Sequence, residues 1–167
     1  MASIIGVETL QHTNGTTAAT ITSGGKLYSA GHVIQVVTST DAAQGSTSST
    51  SFVVAGSLSA SITPSSTSSK ILVQVNSSAY IAATGAEAAY TIYRDNTTNI
   101  GNADGLSRAY AGSSDLICPL YMSVLDSPAT TSSVTYNIYF RKTQGSGSVY
   151  VNLRTGLQTM TLMEIAG

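Results

Sequence analysis

The chain has 167 residues, of which only 9% are charged, against roughly 25% in an average soluble domain. Its 26 Ser and 23 Thr make up the difference, and seven Lys+Arg against eight Asp+Glu leave a net charge of −1. No basic field exists to hold nucleic acid, no apolar run approaches the ~20 residues of a membrane helix, and the single Cys118 excludes an intrachain disulfide framework or a multi-Cys zinc site.

The N-terminus lacks a basic region followed by a long apolar one, so no standard signal peptide is expected. Asn14-Gly15 between threonines predicts a two-residue hairpin turn, and Gly24-Gly25 marks a second break. Apolar residues are sparse between Gln11 and Lys26. Residues 1–30 are therefore expected to form an N-terminal arm for attachment or oligomerisation, ahead of a domain at 31–167.

From Gly31 the dominant period is two, the signature of half-buried strands. Strands are predicted at Gly31–Thr40, Ser51–Ala55, Ser57–Thr63, Ile71–Val75, Ala88–Arg94, Leu116–Leu125, Val134–Arg141, Ser148–Leu153 and Gln158–Ile165. Alanine-rich Ala79–Ala89 is interrupted by Thr84-Gly85 and is not expected to be a helix. The similar loops Pro64–Ser69 and Pro128–Ser133 are expected to be hairpin-like connections. The fold class is all-β: a jelly-roll-like antiparallel β-sandwich with an extended N-terminal arm.

Chemistry is sparse. His12 lies beside the Asn-Gly turn and His32 opens a strand, both as structural histidines. Most acidic residues sit beside Gly, Ser, Asn or Pro, as turn residues do. Cys118 sits in the apolar run Leu116–Leu120 and reads as inert packing. Asp95–Asn99 is oxygen-rich but lacks the acidic spacing of a Ca²⁺ loop. No catalytic, cofactor or metal residues are identified, and the chain is expected not to be an enzyme. Glu164 alternates with Met160 and Leu162 on an apolar face, where a carboxylate needs a partner or an edge. Two readings stay open: an exposed edge, or a subunit interface pairing with Arg94 or Arg141. Tyr93 and Tyr139 fall on the wetter faces of their strands, as aromatics for subunit contact or glycan stacking.

A series of motifs carries a resemblance. These are Gly31–Val37, Ser57–Val73, Ile92-Tyr93-Arg94-Asp95, Leu125–Pro128 with Thr131–Tyr136, and Thr161–Ala166, joined by Val7–Thr17 in the arm. The series resembles a β-rich family of virion structural proteins from aquatic tailed phages, such as cyanophages and pelagiphages. The resemblance implies a non-enzymatic virion component, made in the host cytoplasm and carried on the particle surface. By analogy with related appendage folds it implies a homotrimer, either a short tail fibre or appendage or a capsid decoration protein. Residues 1–30 would bind capsid or tail, and host surface glycans are a further expected partner, with no nucleic acid and no membrane. The alternative is a carbohydrate-binding receptor-recognition module or adhesin.

Overall fold

The structure, a computed structural model, describes residues 7–21, 25 and 27–167. The parts of the expected arm at 1–6, 22–24 and 26, including Gly24 of the Gly-Gly break, lie outside the described residues. Fourteen strands are described, β1 to β14 in chain order.

The N-terminal sheet is a three-stranded antiparallel unit of β1 (Thr9–Gln11), β2 (Thr17–Ile21) and β3 (Leu27–Tyr28). The hairpin turn falls at Asn14-Gly15, but its loop has three residues, because His12 N–H still donates to Thr16 O. Gly15 N–H closes the turn onto His12 O, and Gly15 takes φ +84. A three-residue loop needs that left-handed position, and glycine supplies it without a Cβ penalty.

The rest is a sandwich. One sheet runs β11 (Leu116–Asp126), β7 (Lys70–Ile81), β14 (Gln158–Ile165), β4 (Val33–Asp41). Short β13 (Val149–Val151) and β5 (Gly45–Thr47) prolong its β14 and β4 columns. The other sheet runs β10 (Ser107–Tyr110), β8 (Glu87–Arg94), β12 (Val134–Gln144), β6 (Val53–Ile62), with β9 (Thr98–Asn99) also beside β8. All pairs are antiparallel, and the chain changes sheet between β4 and β6, β6 and β7, β7 and β8, β10 and β11, β11 and β12, and β12 and β14. This interleaving of two four-stranded layers is that of an eight-stranded jelly roll, so the expected class holds.

The sandwich forms because each strand carries one apolar face. Ile71, Val73, Val75, Met160 and Leu162 of the first sheet share one core with Tyr90, Ile92, Tyr136, Ile138 and Phe140 of the second. The Tyr90 and Phe140 rings stack 6.2 Å apart. Tyr90 reaches across the sandwich to donate its hydroxyl to Tyr150 O at 2.9 Å. This satisfies the polar end of a fully buried ring.

Three expectations need correction. Ser51–Ala55 and Ser57–Thr63 belong to one bulged strand, β6, whose register against β12 shifts between Asn137 and Tyr139. The loops after Pro64 and Pro128 are not hairpins: each carries the chain from one sheet to the other. Hairpins and crossovers share the same turn chemistry, so composition does not separate them. Leu153 lies not in a strand but in a one-turn 3-10 segment, Leu153–Thr155.

Candidate functional site

Glu164 lies on the inner face of β14 with no exposed surface. Its Oε1 accepts from Ser65 N–H at 2.7 Å and Ser65 Oγ at 2.6 Å, and its Oε2 from Gln35 Nε2 at 2.6 Å. Burial alone would raise its pKa, but hydrogen bonds, foremost those of Ser65, outweigh burial and hold the carboxyl below its ordinary value. Glu164 therefore ties the Pro64–Ser69 crossover and β4 to the last strand. It is not an exposed edge residue, and its oxygens are occupied within the chain.

Arg94 donates from Nη1 to both oxygens of Asp126, to Oδ1 at 2.9 Å and Oδ2 at 2.7 Å. Tyr136 adds its hydroxyl to Asp126 Oδ2 at 2.7 Å. This group joins β8 and β12 of one sheet to the end of β11 in the other. Arg141 lies elsewhere, donating to Ala103 O at 2.9 Å with its guanidinium 4.6 Å from the Phe52 ring centre. The two arginines and Glu164 are thus each bonded to different partners within the chain.

Tyr93 and Tyr139 do share the outer face of the second sheet. Their rings stack on each other at 4.0 Å, and Phe52 packs against Tyr93 at 6.2 Å. Tyr139 donates its hydroxyl to Asn96 Oδ1 at 3.2 Å. The stack therefore turns much of its ring area inward on itself. Cys118 is half-buried against the core, and burial pushes its thiol pKa up. Asp95 and Asn96 both take positive φ, as the centre of a type I′ turn closed by Thr97 N–H on Arg94 O. Among the described residues no three His, Cys, Asp or Glu side chains stand close enough together to hold a metal ion.

The outer face of the β11–β7–β14–β4 sheet presents a broad, nearly uncharged surface. Register places its side chains in ranks across four strands. Leu125–Leu72–Met163–Val36 is wholly apolar, with Val36 55% and Leu125 49% exposed at its ends. Val33 and Ile165 adjoin it. The next rank, Ser123–Gln74–Thr161–Thr38, is neutral and polar. The third is Tyr121–Asn76–Thr159–Thr40. Thr38 and Thr161 lie 3.5 Å apart, and Gln74 Nε2 donates to the Tyr121 hydroxyl at 3.0 Å. Among the described residues, Lys70 at the margin is the only charged side chain on this face from Lys70 to Ser78. At about 4.8 Å between strands and about 3.3 Å per residue, the face projects about 500–600 Å².

At its far end, Tyr80, Asp115, Ile117, Leu153 and Arg154 line an open cleft of about 400 Å³. Tyr80 donates its hydroxyl to Asp115 Oδ2 at 2.9 Å, and its ring packs on Tyr150 at 5.2 Å. Sequence reading missed this cleft. Its residues come from three separated segments, and none belongs to a motif.

No family model and no curated protein matches the chain. Similar solved structures include an infectious bursal disease virus VP2 subviral particle, at 14% identity, covering 83% of this chain and 39% of that chain, TM-score 0.39. They also include T=1 particles derived from infectious bursal virus, at 13% identity, 84% and 38% coverage, TM-score 0.40. A third is the Gt strain of infectious bursal disease virus, at 19% identity, 83% and 39% coverage, TM-score 0.37. The chain thus spans about two fifths of the length of those proteins, and at these scores no function is carried across. The expected kinship with fibre, appendage or decoration proteins of tailed phages is corrected: these likenesses are to a protein of infectious bursal disease virus, not to a phage component.

Proposed function

We propose that the chain is a non-enzymatic structural protein that assembles with copies of itself through the outer face of the β11–β7–β14–β4 sheet. The observation that carries this reading is the near absence of charge on that face, together with its four-strand apolar rank. Interface cores are depleted of charged residues and enriched in apolar ones. The projected ~500–600 Å² approaches the ~800 Å² that each partner buries in a stable complex. Eight-stranded jelly rolls serve as viral coat and lectin domains, and that analogy of fold sets which roles to test first. A homotrimer is the expected assembly. The N-terminal hairpin, a sheet of its own with Leu10 and Leu27 nearly half-exposed, is the element proposed to hold the assembly to a further partner.

Sedimentation velocity tests the reading. The wild type should sediment as an oligomer, and Val36→Glu and Leu125→Glu should each give a folded monomer. Val54→Glu, at a 49% exposed site on the other sheet, should change nothing. A monomeric wild type at all concentrations, or oligomers indifferent to both face substitutions, overturns it.

A further inference from the structure

We propose that the cleft between Tyr80, Asp115, Ile117, Leu153 and Arg154 is a binding site for one neutral pyranose unit of a glycan.

The cleft's volume of about 400 Å³ falls within the 300–1,000 Å³ range of small-ligand sites. Its walls are of two kinds. Ile117, 59% exposed, and Leu153 present aliphatic surface, and the Tyr80 ring is backed by Tyr150. Between them stand a carboxylate, a guanidinium and a phenol hydroxyl. A sugar ring has the same two kinds of surface: an apolar C–H face and a rim of hydroxyls. Those hydroxyls can donate to Asp115 while accepting from Arg154, and the Tyr80 oxygen, whose hydrogen is already given to Asp115, can accept one more.

Charge narrows the ligand class. An anion would meet the Asp115 carboxylate and a cation would meet the Arg154 guanidinium. A neutral polyhydroxyl compound meets neither repulsion. The Tyr80 hydroxyl stays protonated, since its hydrogen bond to Asp115, together with burial, raises its pKa.

The cleft is also held in place. Asn152 N–H donates to Ser78 O and its side chain to Ala43 O, while Leu153 N–H donates to Ser78 Oγ. Asn152 and Arg154 both take φ +55, an unusual conformation for residues other than glycine. That backbone brings Leu153 and Arg154 to the end of β7. Leu72, in the apolar rank, lies eight residues from Tyr80 along β7, about 26 Å away at ~3.3 Å per residue. A copy seated on that rank leaves the cleft at its margin.

The test is ligand-observed saturation-transfer NMR on the full chain, which works for monomer and assembly alike. The probes are the methyl glycosides of glucose, galactose, mannose and N-acetylglucosamine, with glucuronate and glucosamine as charged counterparts. At least one neutral glycoside should bind with Kd about 1 mM. Asp115→Asn and Arg154→Gly should each weaken it at least about tenfold; glycine keeps the positive φ at 154. Tyr80→Phe, which retains the ring, serves as a second route should either variant misfold. Tyr93→Ala, on the opposite sheet, should leave Kd unchanged. No binding of any neutral glycoside, binding that survives the cleft substitutions, or preference for a charged sugar overturns the proposal. The oligomeric state of the same samples separates this outcome from the assembly reading.

Discussion

Replacing Glu164 by Gln preserves shape and removes one charge, and the surrounding hydrogen bonds dictate the cost. Gln35 Nε2 already gives its two hydrogens to Thr63 O at 2.8 Å and Glu164 Oε2 at 2.6 Å. Turning the Gln35 amide would set its oxygen against Thr63 O, so Gln35 must remain a donor. On the other side Ser65 donates twice to Oε1. A glutamine at 164 has one acceptor oxygen, and that oxygen must face Ser65. Its amide nitrogen then faces the Gln35 nitrogen, donor against donor. One buried donor left unpaired costs about 1–3 kcal/mol, and two charge-assisted bonds reduced to neutral ones lose about 1 kcal/mol more. The expected loss is about 3 kcal/mol, or a fall of about 10 °C in Tm for a chain this long. Urea unfolding at pH 7, at fixed protein concentration, measures it. The pH dependence is a second check. The folded carboxyl has a depressed pKa, so its stabilisation is present above its ordinary value of 4.5 and is lost as pH falls through the folded value. The gap between the wild type and Glu164→Gln should therefore narrow at strongly acidic pH. A loss under about 0.5 kcal/mol at pH 7, within the range of ordinary surface substitutions, or a gap independent of pH, would refute this account of the crossover.

Other substitutions test other parts of the sandwich. Asp126→Asn removes the negative charge and leaves one acceptor oxygen for Arg94 and Tyr136 together; it should cost about 3 kcal/mol in urea unfolding, because the largely buried guanidinium loses its charged partner. Tyr90→Phe deletes only the hydroxyl bond to Tyr150 O and should cost about 1 kcal/mol in the same assay. Gly145 has φ +79, and a Cβ there would lie 2.5 Å from Ala86 Cα and 2.6 Å from Gly85 O. Gly145→Ala should therefore lower Tm by several degrees, read by circular dichroism, since both obstacles are backbone.

The period-two pattern exposed most of the sandwich because its strands are long and one-sided. Gln158–Ile165 alternates along its whole length, and the structure keeps those bounds. Short β5, β9 and β10 carry too few residues for a period to show, and their pairing comes from neighbours rather than from their own composition. The site followed the same divide. Tyr93 and Tyr139 were legible as outward residues, since strand alternation settles which face a side chain takes. That they stack on each other depends on the β8–β12 register, which no local pattern states. Glu164 was legible as a carboxylate that needs partners. Those partners, Gln35 and Ser65, lie 129 and 99 residues away, beyond any local signal.

The excess of hydroxyl residues now has a structural meaning. Many do sit in loops, but Thr38, Thr40, Thr159 and Thr161 form the middle of an outer sheet face. Threonine suits that place because it is β-branched, which favours a strand, and neutral but polar, which lets the face meet water. Edge strands that must stay unpaired more often carry lysine. If the neutral rank serves only solubility, Thr38→Lys on edge strand β4 should be silent, since Thr38 is exposed and lysine is well tolerated there. If the rank meets another copy, the same substitution buries an ammonium without a partner, a penalty of several kcal/mol. The oligomer should then dissociate in sedimentation velocity while the Tm of the isolated subunit stays within about 2 °C of wild type. Unaltered assembly of Thr38→Lys would confine the interface to the apolar rank and make the hydroxyls a solvent-facing surface.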